Sequence, residues 1–308
     1  MLLQLAPGIR ASVIFPGRIG VNDGLHLTGG EPFMNYDRLV RVTRLAREIG
    51  IPSLFVETNA AWCVDDRTTR EKLVGLREAG LDGILISANP FTLEEVPFER
   101  TERAARVALE VFPAHNVIVY QSVFFEQFRR MGLKGTMPLD EYLATAGETL
   151  YYMELFASGR VPYALGLLFR RSPASRFFGQ SCRAELLRDW HVHVDNEGNL
   201  MPGFCGGISL GDARRLDQLL EQGVDLTTRP VLRALLTDLR ELYDLGLAHG
   251  YQPLDGYVSK CHLCMDVRRH LALTGMFEEL APRELYTHLG ELPRPQANGR
   301  DDGAHVAS

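Results

Sequence analysis

The sequence predicts an α/β fold built on a parallel sheet, followed by a small cysteine-rich domain. Three observations carry that expectation. Apolar, strand-like runs alternate with helical patterns at a period of roughly 30 residues. Three of those runs end in small or polar residues beside Gly or Pro. Four of the five cysteines, Cys182, Cys205, Cys261 and Cys264, fall in the last 130 residues or so of the 308.

In chain order, strands are expected at 24–28 (GLHLT), 53–58 (SLFVET), 83–87 (GILIS), 116–121 (NVIVYQ) and near 162–168 (VPYALGL). Between the first two, "NYDRLVRVTRLAREIG" reads as a helix. Leu39, Val42, Ala46 and Ile49 share a face, Asn35 caps the start and Gly50 stops it. Further helices are expected at about 66–79, 98–112 and 138–157. Such βα units form parallel sheets with right-handed crossovers, so the choice is a doubly wound sheet or a barrel. In both, ligands sit at the carboxyl ends of the strands. "TGGEP" (28–32), "ETNA" (57–60) and "SANP" (87–90) occupy that position after three successive strands. Turn chemistry alone accounts for "TNA" and "SANP". Two glycines before Glu31 and Pro32 point further, to a backbone that bends sharply and admits close approach.

Composition narrows the function classes. Apolar residues make up 45% and charged residues 23%, ordinary values for a globular protein. A formal charge of −6 with no long basic run argues against nucleic-acid binding. No stretch approaches the roughly 20 apolar residues of a membrane helix, and the start lacks a basic n-region. A cytoplasmic location is expected. In that compartment the late cysteines suggest metal ligands before disulfides.

From Cys182 the chain reads as a hairpin. Trp190, Val192 and Val194 alternate with His191, His193 and Asp195, "NEGN" turns, and "LMPGFC" returns with Cys205. A mostly helical stretch leads to "KCHLC", where Cys261 and Cys264 form a C-x2-C pair that grips one metal centre from a tight turn. Four thiolates suit a tetrahedral zinc or a 4Fe–4S cluster, and spacing does not separate the two. His191 and His193 are expected on the polar face of the hairpin, and Cys63 as a small core filler. Glu31 and Glu57 are acids without a readable pairing, and Glu102 and Glu154 are expected on the solvated surface.

A strand followed by "GGEP", a strand ending in "TN", and a third ending in a serine-containing turn resemble the radical S-adenosylmethionine (SAM) superfamily. The resemblance covers roughly residues 20–165, and 180–270 for the cysteine segment. It implies a partial (β/α) TIM-like barrel over residues 1–170, a SPASM- or twitch-like auxiliary-cluster domain over 171–292 and a flexible tail over 293–308. By resemblance, the backbone of Gly29, Gly30, Glu31 and Pro32 would hold the SAM amino group, with Thr58, Asn59 and Ser87 nearby. Cys182, Cys205, Cys261 and Cys264 would hold one auxiliary 4Fe–4S cluster. The implied activity is reductive cleavage of SAM to a 5′-deoxyadenosyl radical that abstracts hydrogen from a peptide or small molecule. A reductant such as flavodoxin or ferredoxin would supply the electron.

One family feature is missing. The C-x3-C-x2-C motif that binds the SAM-cleaving cluster should precede GGEP, yet no cysteine stands before Cys63. The expectation is a barrel whose first strand, with that motif, belongs to a segment upstream of residue 1. A SAM-fold scaffold without catalysis and an unrelated α/β enzyme with a structural zinc are the other readings.

Overall fold

The computed structural model describes residues 1–21, 23–152, 159–188 and 191–291. Two compact units divide the chain, Met1–Glu154 and Leu155–Ser308. Residues 159–170 thus fall with the second unit.

In the first unit, α1 (Leu2–Ser12) leads to four parallel strands in the order β1-β2-β3-β4. These are β1 (Leu25–Leu27), β2 (Leu54–Thr58), β3 (Gly83–Ser87) and β4 (Val117–Tyr120), each expected from its apolar run. The connecting helices are α2 (Tyr36–Glu48), α3 (Asp66–Glu78), the single turn α4 (Pro90–Leu93) and α5 (Phe98–Val111). After β4 come α6 (Ser122–Arg130), which the periodicity missed, and α7 (Leu139–Ala146). The Asn35 side chain accepts the Arg38 amide at 3.1 Å, so the expected cap of α2 is in place. Asp65 caps α3 the same way through Thr68, at 2.8 Å.

The two faces of this sheet differ. Leu54, Val56, Ile84 and Ile86 pack under Leu39 and Ala46 of α2, Leu73 and Leu76 of α3 and the alanine stripe Ala104, Ala105 and Ala108 of α5. Each of those four strand side chains is fully buried, worth roughly 1.5–3 kcal/mol apiece. Small alanines let α5 lie close to the strands. The opposite face carries only a minor cluster, Phe55 and Leu85 with Ile19 and Ile118. Toward the carboxyl ends that face turns polar, with His26, Glu57 and Ser87.

The second unit contains α8 (Val161–Ala164), α9 (Arg183–Leu186) and a three-stranded antiparallel sheet. Its strands are β5 (Val192–Val194), β6 (Asn199–Pro202) and β7 (Gly211–Asp212). Then follow α10 (Leu216–Gln222), α11 (Pro230–Thr237), α12 (Leu239–Ala248), α13 (Lys260–Thr274) and α14 (Arg283–Glu291). Leu263, Val267 and Leu271, at i, i+4 and i+8 on α13, pack with Val231 and Leu235 of α11, Leu239 and Leu242 of α12 and Leu289 of α14.

Several expectations need correction. Residues 162–168 form no strand. Pro162 sits at the start of α8, where a missing N–H costs nothing and the ring presets helical φ, and a 3-10 turn follows at Gly166–Leu168. The helix expected over 138–157 is α7 plus a 3-10 turn, Gly147–Tyr152, and the rest of that range, Glu154 included, lies outside the described residues. Trp190 and the tail 293–308 also lie outside them. Cys205 is not on the second hairpin strand, which stops at Pro202. A side chain at Gly203 would stand 2.5 Å from the His191 carbonyl, so the strand cannot be extended past it by an ordinary residue. The alternation is weaker than its pattern: Val192 is exposed, while His193 is half-buried with Nε2 3.2 Å from the Gly203 carbonyl oxygen. Among the described residues, no helix is long and apolar enough to cross a membrane.

Candidate functional sites

Two groups of polar residues stand out, one in each unit. The first lies at the carboxyl ends of β1, β2 and β3. Glu31 ends the "TGGE" turn and caps a 3-10 turn, Pro32–Asn35, by accepting the Phe33 amide at 3.1 Å. Its carboxylate also receives the Thr58 hydroxyl at 2.9 Å and the Asn59 amide at 2.8 Å. Thr58 in turn accepts from the Trp62 indole at 2.8 Å, and Trp62 stacks on Phe33 with centroids 3.8 Å apart. Glu31, Thr58 and Asn59 therefore latch the loop after β1 to the loop after β2. Burial raises the Glu31 pKa despite the bonds from Asn59, Phe33 and Thr58, which oppose it.

Gly29 and Gly30 are different. Both are exposed, with φ of +93° and +49°, and a Cβ built on either meets nothing within 4 Å. The left-handed backbone suits glycine, and open space lies in front of it. The latch orients this turn while leaving its main chain accessible. Pro32, half-buried, opens the 3-10 turn behind it.

On the other sheet face Glu57 gathers its own partners. Its Oε2 accepts the Thr28 hydroxyl at 3.0 Å and lies 3.0 Å from His26 Nε2, and its Oε1 accepts the Ser87 hydroxyl at 3.2 Å. The His26 approach is an ion-pair distance without hydrogen-bond alignment. The His26 ring stacks on Phe55, its register neighbour on β2, at 4.4 Å. His26 is the main cause that lowers the Glu57 pKa, with Thr28 and Ser87 adding to it against desolvation. The result is an ionised, partly exposed carboxylate at the strand ends. It can accept further donors from a hydroxyl or ammonium group.

The predicted residues thus split between two roles. Ser87 faces the Glu57 carboxylate, whereas Thr58, Asn59 and the Glu31 side chain are spent on the latch. His26 escaped sequence reasoning. Its signal was present, since His26, Glu57 and Ser87 are single polar residues in otherwise apolar runs. Cys63 is fully buried, and desolvation pushes its thiol up to about 12, consistent with a core filler.

The second group brings together cysteines that are far apart in sequence. Cys182 precedes α9, Cys205 follows β6, and Cys261 and Cys264 lie in the first turn of α13. The C-x2-C pair sits on a helix and not in a tight turn, and i, i+3 spacing puts both thiols on one face. All five cysteines of the chain are free. Cys182 and Cys264 are hydrogen-bonded through their side chains, and Cys205 and Cys261 both lie within electrostatic reach of Cys264. The shared proton pushes the Cys182 thiol up and pulls Cys264 down to about 6, with Arg268 assisting. Burial raises Cys205 to about 11 and also raises Cys261. Among the described residues no three His, Cys, Asp or Glu side chains stand in closed metal-binding geometry. The four thiols have converged without being drawn up into a tetrahedron.

The elements carrying these thiols are tied down. The Cys182 amide donates to the Leu235 carbonyl at 2.7 Å. Lys260 Nζ donates to the Ser181 carbonyl at 3.2 Å and to Glu185 at 2.6 Å, joining α9 to the start of α13. Arg268 Nη1 donates to the Gly206 carbonyl at 3.0 Å, and the Tyr286 hydroxyl donates to the Gly207 carbonyl, which fixes the loop after Cys205. Gly207 has φ +79°, and a Cβ there would stand 2.6 Å from the Tyr286 hydroxyl, so only glycine fits.

Comparison with protein-family models gives no match, and comparison with curated proteins gives none either.

Proposed function

We propose that the chain is a radical SAM-type protein, a cytoplasmic protein with a partial (β/α) barrel that binds SAM and a four-cysteine domain that holds one auxiliary 4Fe–4S cluster. The observation that carries this reading is the convergence of Cys182, Cys205, Cys261 and Cys264, drawn from three separate segments, into one cluster of free thiols. Four thiolates are the donor set that such a cluster takes. The barrel reading is supported by strand order and layering. A sequential order β1-β2-β3-β4, with α2, α3 and α5 on one face, is the arrangement an arc of a barrel would have. A doubly wound sheet reverses its order and takes helices on both faces.

The open main chain at Gly29 and Gly30 would receive the amino-acid end of SAM, and Glu57, with Ser87 and His26 behind it, would accept ligand hydroxyl or ammonium donors. Bound there, SAM supplies radical chemistry that the protein cannot make from its side chains. The residues of this chain position, shield and hold charge. The turn presents polar main chain, Glu57 stays ionised, and the polar face of the sheet lines the mouth. No C-x3-C-x2-C occurs among the 308 residues, so no reductive cleavage is assigned to them. Substrate, peptide or small molecule, and a flavodoxin- or ferredoxin-like reductant remain part of the proposal.

Anaerobic reconstitution with iron and sulfide, followed by metal and sulfide analysis and equilibrium dialysis with SAM, tests the reading. About four irons with matching sulfide per chain is the expected result. SAM binding lost in Gly30→Val but not in the surface variant Glu110→Ala is expected beside it. One tightly held zinc with no SAM binding would instead identify an α/β protein stapled by a structural metal. SAM binding without a cluster would leave the scaffold reading.

A further inference from the structure

Arg268 is 3% exposed, at the heart of the second unit. Its Nη1 donates to the Gly206 carbonyl and, at 2.9 Å, to the Tyr286 hydroxyl, and Nη2 stands 3.7 Å from Met265 Sδ. Nε is fully buried and has no hydrogen-bond partner. None of the ion pairs among the described residues includes Arg268. A guanidinium does not lose its proton in a protein. Burying it without a counter-charge is among the costlier arrangements a fold can hold. The groups acting on it are Tyr286, Cys264 and Cys205. On α13, Arg268 lies four residues after Cys264 and seven after Cys261, so all three share a helix face. Its Nη1 also clamps the loop that follows Cys205.

Four thiolates around a zinc or a 4Fe–4S unit carry net negative charge. We infer that Arg268 is the buried counter-cation of a metal–thiolate centre formed by Cys182, Cys205, Cys261 and Cys264, a positioning residue that completes the site by charge and by its hold on the loop after Cys205. The inference rests on the four-cysteine reading proposed above but holds for either metal. A cation beside the centre favours its more negative, reduced state, so it raises the reduction potential of an iron–sulfur occupant. It strengthens binding of a zinc occupant by favouring thiolates.

The test compares the full-length chain with Arg268→Met and Arg268→Lys, each metal-free and loaded. In the loaded chain, Arg268→Met melts at a lower temperature than the wild type. In the metal-free chain the loss is smaller, because the metal–thiolate charge that Arg268 answers is then absent. With iron and sulfide, a redox titration followed by EPR gives Arg268→Met a more negative midpoint. A tenfold change in the reduced-to-oxidised ratio corresponds to about 59 mV for one electron. With zinc, competition against a chromogenic chelator shows at least a tenfold loss of affinity. Arg268→Lys recovers most of either effect. Equal destabilisation of loaded and metal-free chains by Arg268→Met would make Arg268 a packing residue and overturn the inference. So would an unchanged midpoint or zinc affinity in a folded variant. If the wild type takes up neither iron nor zinc, the four-cysteine reading fails as well, and metal analysis of the wild type separates the two failures.

Discussion

The strand-end group of the first unit and the four-thiol group of the second handle buried polarity in opposite ways. Glu31 and Glu57 are each surrounded by donors from neighbouring loops and strands, so their bonding closes within the protein. Arg268 and the cysteines are closed only in part, since the guanidinium is buried, makes no carboxylate ion pair among the described residues and leaves its Nε without a hydrogen-bond partner. On the proposed reading, the contrast is between a first group that is preformed and a second that a bound metal would finish. A preformed site tolerates the absence of its ligand, and an unfinished one loses stability without it.

The sharpest way to break that comparison is Cys264→Ser. Structural metal sites couple binding to folding, with apparent contributions of about 10 kcal/mol or more for zinc. The variant is expected to lose its metal on dialysis and most of that stabilisation, measured by metal analysis and denaturant unfolding of the loaded chain. In the metal-free state its effect should be far smaller. A loaded-state stability equal to that of the wild type would put the second group on the same footing as the first.

Glu31→Ala is the next largest. It leaves the Thr58 hydroxyl and the Asn59 and Phe33 amides without their acceptor, a cost of roughly 2–4 kcal/mol. Urea unfolding in a Trp190→Phe background, where Trp62 is the only remaining indole, reads the effect beside the latch itself. The loss should be the same with and without metal. A metal-dependent loss would undo the separation of the two groups.

The smallest effect concerns pH and sharpens the contrast inside the first site. The Glu57 pKa is lowered in the fold, so its stabilisation is present above the ordinary value of 4.5 and disappears as pH falls through the lowered one. The Glu31 pKa is raised, so stability is lost as pH rises from 4.5 through the raised value. Glu57→Gln should flatten the acid limb below 4.5 by about 1 kcal/mol or less, and Glu31→Gln should flatten the limb above it. Unfolding free energies between pH 3 and 7 check both signs. An unchanged acid limb in Glu57→Gln would mean that His26 does not hold the carboxylate ionised.

Much of this was legible in the chain. The four parallel strands follow from apolar runs at regular spacing, and Asn35 capped its helix as read. Where the reading failed, a local signal lost to context. "VPYALGL" has the composition of a strand, yet Pro162 is better placed at a helix start and Tyr163 is buried in the second core. The hairpin alternation broke at Val192, which is exposed. In the candidate sites, the turn glycines and the cysteines announced themselves by residue type. His26 stood out only as a polar residue in an apolar run, and what it meets was fixed only when its strand paired with β2.

The sequence by itself determined the α/β class and the four parallel strands, because apolar period and turn residues are local properties. Tertiary structure alone decided the rest. It sent Glu31 into a latch and Glu57 to the open face, though both are glutamates beside strand ends, because alternate residues of a strand face opposite sides of the sheet and only register fixes what each one meets. It also set Arg268 beside Cys205, 63 positions away, since such burial arises only when helices from separate segments pack around one core.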